Sequence, residues 1–142
     1  MLSLSIVDIK DFMGKLLKEE IFDNFDLHSL LIQNFACFEV HKTSDQPAPK
    51  WSAVRPFAFD VVKRGGATPK SLKVVLAAEG SLIDAGDATL FFNAHFEEGK
   101  ITITTGFSQK SFSMDKSGQG LWDNYIQKFL IDKKIEFIDN LA

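Results

Sequence analysis

Six residues in the middle of the chain form the most promising group for binding chemistry. One aromatic ring and five cations fall within a short segment: Trp51, Arg55, Lys63, Arg64, Lys70 and Lys73. Between residues 41 and 78, seven Lys or Arg side chains stand against two Asp, a local net charge of +5 in a chain of net charge −3. Clustered cations attract anions, and an indole offers a face on which a planar group can stack. The segment therefore indicates a site for an anionic ligand.

We expect residues 50–73 to form a basic hairpin that brings these side chains together. Alternating apolar residues over 54–63 predict a strand, and Pro56 belongs at its start or at a sheet edge because proline cannot donate to a ladder. Across such a hairpin Lys63 and Lys70 would be near neighbours and would repel each other unless an anion or solvent lay between them. The alternative is a solvated hairpin tip with Trp51 packed over the loop.

The histidines offer a second, weaker group. Asn93, His95 and Glu97 recur at period two, which could place an imidazole beside a carboxylate on one strand face. The simpler interpretation is the solvent side of a half-buried strand, since the intervening residues are apolar. A zinc site would require His28, His41 and His95 to converge from three distant strands, so no metal site is predicted.

Motifs for nucleotide binding or catalysis are absent from the sequence. Arg64-Gly65-Gly66 fits neither the Walker spacing nor G-x-G-x-x-G, and neither G-x-S-x-G nor C-x-x-C occurs. The single Cys37 excludes an internal disulfide, and its apolar neighbours Phe35 and Phe38 predict a buried thiol. We predict no catalytic residue and no cofactor, and binding is favoured over an enzyme whose site is assembled from scattered residues.

Phenylalanine supports an alternative function. The chain has 14 Phe against 2 Trp and 1 Tyr, so most of its aromatic area carries no polar handle. If a helix packs on a curved sheet, an apolar pocket can lie between them. The alternative is then a carrier or sensor of a small apolar molecule, with a pocket bordered by Phe57, Phe59, Phe92 and Phe107.

Two amphipathic helices and a series of short strands must position these groups. Asp8 is a suitable N-cap for a helix over 8–19, and apolar residues at helical spacing predict a second helix that begins near Leu121. We expect Leu16 and Phe129 to be buried on the apolar stripes of these helices. Gly99 predicts a tight hairpin turn with positive φ. The predicted strands cover residues 1–5, 27–43 (with a possible bulge or break near 34), 54–63, 71–78, 88–97, 100–107, 111–114 and 135–138.

This order predicts an α+β fold. We expect a largely antiparallel sheet of about six to eight strands, flat or curved, with an N-terminal and a C-terminal amphipathic helix packed on it. The 142 residues match one domain spanning 1–142. Neither a signal peptide nor an apolar run long enough to span a bilayer occurs, so we expect a cytoplasmic protein with no membrane partner.

Residues spread along most of the chain carry a resemblance to a known family: Asp8–Met13, Lys15–Leu17, Trp51, Arg55-Pro56, Phe59, Lys63, Thr68-Pro69, Lys73, Thr105-Gly106, Ser108, Phe112, Asp115–Ser117 and Trp122-Asp123. As a set they resemble a family of small proteins of unknown function from anaerobic Gram-positive bacteria. The resemblance implies a single-domain bacterial cytoplasmic protein and brings no activity and no site residues with it. The expected partner is still an anionic ligand or a protein, and the sequence is compatible with a homo-oligomer.

Overall fold

The computed structural model describes residues 1–65, 69–109 and 117–141. Seven strands and three α-helices make up this part of the chain, with a 3-10 turn at Gly80–Ile83. In chain order the elements are β1 (Ser3–Ile6), α1 (Ile9–Leu17), β2 (Asp26–Gln33), β3 (Cys37–His41), α2 (Trp51–Arg64), β4 (Ser71–Glu79), β5 (Thr89–Glu97), β6 (Lys100–Ser108), α3 (Ser117–Asp132) and β7 (Phe137–Asp139).

All seven strands form one antiparallel sheet in the order β3-β2-β4-β5-β6-β1-β7. Alternate strand residues such as Leu72, Phe92 and Ile103 are buried in one cluster with the inner faces of the three helices. The residues between them on each strand are more exposed, so the helices cover one face of the sheet. The predicted α+β class, with N-terminal and C-terminal helices on an antiparallel sheet, is confirmed.

The N-terminal helix forms as its sequence predicts. A carboxylate oxygen of Asp8 accepts a hydrogen bond of 3.0 Å from the backbone N–H of Asp11, which satisfies one of the free donors of the first turn. Leu16 is fully buried. In α3, Phe129 is only half-buried, which corrects the expectation that both residues lie inside the core, although its ring packs 5.5 Å from that of Phe22.

Residues 27–43, predicted as one long strand or two, form two strands that fold back on each other. The backbone N–H of Asn34 donates to the carbonyl of Ala36 at 2.9 Å and closes the turn, while the only register shift in β2 lies between Leu27 and Ser29. The expected buried thiol is wrong, because Cys37 is exposed. It begins the edge strand β3 and pairs with the exposed Gln33 of β2.

The predicted basic hairpin at 50–73 is wrong, because its first half is the helix α2. Trp51, Ala58 and Val61 are its buried residues, and their spacing of seven and three places them on one helical face. The apolar residues Phe57, Phe59 and Val61 alternate as they would in a strand, but this stretch is short and lies within a segment whose buried residues follow the helical period. Pro56 lies inside this helix. The expectation that proline, which lacks an N–H donor, marks a strand start or a sheet edge is therefore wrong here.

The hairpin of β5 and β6 is confirmed, with Glu97 paired to Lys100 across the turn. Both turn residues have positive φ, 52° at Glu98 and 73° at Gly99. The predicted strand at 111–114 lies outside the described residues. Within the ranges that the structure describes, no helix combines the length and the apolarity that crossing a bilayer requires.

Candidate functional site

Trp51 does not offer a stacking face to a ligand. Its side chain is fully buried, and the indole Nε1–H donates to the carbonyl oxygen of Leu16 at 3.1 Å. The ring therefore joins the start of α2 to the last turn of α1. This corrects the expectation of an exposed indole beside the basic residues.

Arg55 and Arg64 are both paired with carboxylates. Arg55 donates from Nε and Nη2 to the two carboxylate oxygens of Asp23 at 2.8 and 3.0 Å, and both side chains are largely buried. These hydrogen bonds raise the pKa of Arg55, against the opposing effect of its burial. Arg64 forms an exposed pair of 2.8 Å with Asp60 one turn earlier in α2. Each guanidinium thus already has an anionic partner within the protein.

The three predicted lysines do not lie on one hairpin. Lys73 is exposed on β4, opposite His95 of β5, on the sheet face that the helices leave uncovered. Lys70 precedes β4, and its backbone N–H donates to the carbonyl of Gln33 at 2.9 Å. Lys63, in the last turn of α2, borders a groove between α2 and α1. The six predicted residues therefore do not share one hairpin surface.

The four phenylalanines of the alternative hypothesis also do not border a common cavity. Phe92 is fully buried among core rings, whereas about half of the Phe57 side chain (51%) is exposed. Phe107 lies against Gly118 at the start of α3. Only Phe59 faces the groove between α1 and α2.

That groove is a concave feature of the surface with a volume of about 790 Å³. It is open to solvent along its length, and its walls come from α1, from α2 and from the ends of two further segments. Such a volume lies within the range of small-molecule sites, roughly 300–1,000 Å³. Its apolar lining residues are Ile9, Met13, Leu17, Phe59, Val62, Pro69 and Phe96, with Gly14 between them.

Three lysines surround this apolar surface: Lys10, Lys18 and Lys63. Across the described residues, none of the three ammonium groups forms an ion pair or a hydrogen bond. Lys15, on another face of α1, differs: it contacts the Asp11 carboxylate at 2.8 Å and the Lys134 carbonyl at 2.9 Å. The cations of the groove thus have no anionic partner within the described ranges.

Two hydrogen bonds set the relative position of the groove walls. Besides the bond from Trp51 to Leu16, Nη1 of Arg55 lies 3.4 Å from the carbonyl oxygen of Lys18. The Lys18 ammonium in turn lies 5.6 Å from the centroid of the Phe59 ring, a cation–π contact. The first half of α2 is therefore fixed against the C-terminal end of α1.

The histidines form no metal site. In the described ranges, no group of three His, Cys, Asp or Glu side chains is arranged to hold an ion, so His28, His41 and His95 do not converge. Nε2 of His95 lies 3.5 Å from Glu97 on the open face of the sheet, in agreement with the solvent-facing interpretation of that strand.

The sequence does contain a pattern that indicates the groove, and it is the spacing of residues in α1 rather than the density of charge. Lys10, Gly14 and Lys18 follow one another at intervals of four, so they share one face of α1. A helix face with two cations and a glycine cannot pack into the core. Its partner Lys63 could not be assigned to this face, because α2 was predicted to be a strand.

Comparison with known proteins gives a family and no function. Neither the curated proteins nor the solved structures contain a match to this chain. A family model matches residues 15–138, which is most of the chain and runs from the last turn of α1 into β7. The chain therefore belongs to DUF5721, a family of unknown function.

Proposed function

We propose that the protein is a non-catalytic binding module that takes an amphipathic anion, a molecule with an apolar body and one acidic group, into the groove between α1 and α2. The observation that carries this proposal is the combination of an apolar groove of about 790 Å³ with three lysines around it, none of which forms an ion pair with a described residue. The proposal combines the anionic ligand expected at residues 50–73 with the apolar ligand expected between sheet and helix, and assigns both to the groove between α1 and α2.

The charges around the groove support a negatively charged ligand. The nearest acidic groups on α1 are engaged elsewhere, since Asp11 contacts Lys15 and Asp8 caps the helix. Asp60 on α2 is paired with Arg64. Among the described residues that line the groove, the charged ones are Lys10, Lys18 and Lys63, and none of these three carboxylates lines it.

The apolar lining of the groove and its lysines contribute differently to the free energy of binding. Each CH₂ group that leaves water contributes about 0.8 kcal/mol, whereas an exposed ion pair contributes about 0.2–1 kcal/mol and is screened by salt. The apolar lining therefore supplies most of the affinity, and the lysines select an anionic head group over a cationic one. We propose the bacterial cytoplasm as the compartment, on the resemblance described above alone.

Calorimetric titration with decanoate tests the proposal. The variant Lys10→Gln/Lys63→Gln removes two charges from the groove, and Lys70→Gln/Lys73→Gln removes two exposed charges outside it. We expect decanoate affinity to fall several-fold in the first variant only, and decyltrimethylammonium to bind the wild-type protein more weakly than decanoate. Equal affinities in the two variants, or no binding to the wild-type protein, would falsify the proposal.

A further inference from the structure

The strand β3 forms one edge of the sheet, and across the described residues it pairs with β2 alone. Its residues Cys37, Glu39 and His41 are exposed, and neither a proline nor a bulge interrupts it. Such devices, or a very short strand, usually protect a sheet edge from pairing with another chain. The opposite edge, β7, has only three residues, whereas β3 has five. The outer side of β3 is therefore a template on which another strand can pair.

The turn between β2 and β3 shows which backbone groups of β3 are directed at β2. The backbone N–H of Asn34 donates to the carbonyl of Ala36 at 2.9 Å, so these two residues form a hydrogen-bonded pair of the ladder. Hydrogen-bonded and non-hydrogen-bonded pairs alternate along an antiparallel ladder. In the observed register, Phe38 and Val40 therefore form the next hydrogen-bonded pairs with β2.

The residues between them direct their backbone groups away from the sheet. The N–H and C=O groups of Cys37, Glu39 and His41 point outward, because successive residues of a strand alternate in this direction. Within the described ranges these groups form no hydrogen bond to the protein. The outer side of β3 thus presents three donors and three acceptors at the spacing of an antiparallel ladder.

The charged side chains of β3 are complementary to those of a second copy in one register. Glu39 and His41 lie side by side on the exposed face, with His41 Nε2 3.4 Å from Glu39 Oε2. If two copies pair antiparallel about a two-fold axis at Val40, each Glu39 faces His41 of the other copy. An axis at Glu39 would instead place two carboxylates directly opposite each other, which is unfavourable. Among two-fold registers centred within β3, only the axis at Val40 sets an acidic residue opposite a basic one.

We propose that the outer side of β3 is a dimer interface, on which a second copy of this chain pairs antiparallel about an axis at Val40. In this register the outward backbone groups of Glu39 exchange two hydrogen bonds with those of His41 of the other copy. The imidazole can donate to the facing carboxylate in either protonation state. The two sheets then continue into each other. No β3 residue lines the groove between α1 and α2, so this interface is independent of the proposed ligand site.

Sedimentation of the full chain over a concentration series tests the interface. We expect the mass to rise from 15.9 kDa towards twice that value, with the weak affinity typical of interfaces below about 1,200 Å². His41→Glu sets two carboxylates opposite each other and should raise the dimer Kd roughly tenfold. Glu39→Lys/His41→Glu restores opposite charges and should return the Kd close to the wild-type value.

His95→Glu is the matched control. Nε2 of His95 lies 3.5 Å from Glu97 on the same sheet face, but β5 has a neighbouring strand on both sides and cannot pair with a second copy. This substitution should leave the Kd unchanged. A wild-type mass of 15.9 kDa at every concentration up to about 1 mM would overturn the proposal, as would equal effects of His41→Glu and His95→Glu.

Disulfide crosslinking tests the register directly. In the background Cys37→Ser, the variant Val40→Cys places a thiol on the two-fold axis, where it lies opposite its own copy in a non-hydrogen-bonded pair and close enough for a disulfide. Glu39→Cys, one residue away, lies opposite His41 and has no facing thiol. After mild oxidation, with folding verified by circular dichroism, we expect a covalent dimer on non-reducing gels for Val40→Cys only. A covalent dimer of Glu39→Cys, or of neither variant, would show that the copies do not pair in this register, and the proposal would be wrong.

Discussion

The indole nitrogen of Trp51 donates a hydrogen bond of 3.1 Å to the carbonyl oxygen of Leu16, so the first residue of α2 satisfies a carbonyl of the last turn of α1. Carbonyls at a helix C-terminus lack intrahelical partners, and a buried one without any partner is costly. This single bond therefore stabilises the end of one helix and fixes the position of the other. The groove lies between the two elements that it joins.

Trp51→Phe should destabilise the protein and loosen the groove. Loss of the donor leaves the Leu16 carbonyl unsatisfied, at a cost of about 1–3 kcal/mol in the free energy of unfolding. Trp122→Phe is a matched control, because Trp122 is equally buried and donates to the Phe91 carbonyl at 2.9 Å, away from the groove. Urea denaturation should show similar losses in both variants, with weaker decanoate binding only in Trp51→Phe.

Arg55→Lys should cost about 1–2 kcal/mol of stability, because a point charge cannot reproduce the bidentate contact with the largely buried Asp23. Arg64→Lys, in the exposed pair with Asp60, should change stability by less than about 0.5 kcal/mol. The double-mutant cycle with Asp23→Asn measures the coupling. A coupling energy near zero would show that the pair contributes no more than the surface pair.

The pH dependence of the Arg55 contribution follows from the direction of its pKa. The folded state raises the pKa of Arg55, so the associated stabilisation is complete below the pKa of the unfolded chain and is lost only in strong alkali. The difference in stability between wild type and Arg55→Lys should therefore stay constant from about pH 6 to pH 9. Denaturation curves across this range provide the check.

Substitutions in the β5–β6 turn should affect both of its residues. Because Glu98 and Gly99 both have positive φ, a β-branched residue is strained at either position. We expect Gly99→Val and Glu98→Val each to lower stability by roughly 1 kcal/mol or more, and Glu98→Asn to raise it by about 0.5 kcal/mol. Urea midpoints distinguish this from the sequence-based expectation, in which only Gly99 needed positive φ. If Glu98→Val left the stability unchanged, the result would support a turn in which only Gly99 has positive φ.

Leu16→Ala should cost about 2–5 kcal/mol, since the side chain is fully buried and its removal leaves a cavity. Ile131→Ala, at a residue 63% exposed, should cost well under 1 kcal/mol. Phe129→Ala should fall between them, because that ring is only half-buried. If Leu16→Ala shifted the urea midpoint as little as Ile131→Ala does, α1 would not pack as described.

The sequence was sufficient for elements whose period is long or whose caps are distinct. Asp8 and the stripe through Leu16 specify α1, and strict alternation with Gly99 specifies the β5–β6 hairpin. The pattern was not sufficient for α2, because residues 57–61 fit both the strand period of two and the helical period, and Pro56 favoured a strand. A local pattern cannot distinguish helix from strand here, because the burial of Trp51 against α1 is a tertiary contact.

The candidate site was largely beyond sequence reasoning for the same reason. The density of charge predicted that Arg55 and Arg64 bind an anion, because their partners Asp23 and Asp60 cannot be recognised without the fold. Lys63 was also predicted as a site residue, but on a strand next to Lys70 and Lys73 rather than on a helix. Only the interval of four between the groove residues of α1 was present in the sequence as a usable signal.

The place of β1 between β6 and β7 has a consequence for the order of folding. Leu4 pairs with Ile103 and Asp139, so the strand that leads into α1 finds its neighbours only near the other end of the chain. Contacts of such sequence separation carry a large loop-closure entropy and slow the search for the native state. Until β6 is present, β1 has no partner on that side, so the strand that leads into α1 is not anchored there. The position of α1, one wall of the groove, thus depends on residues that are far from it in the sequence.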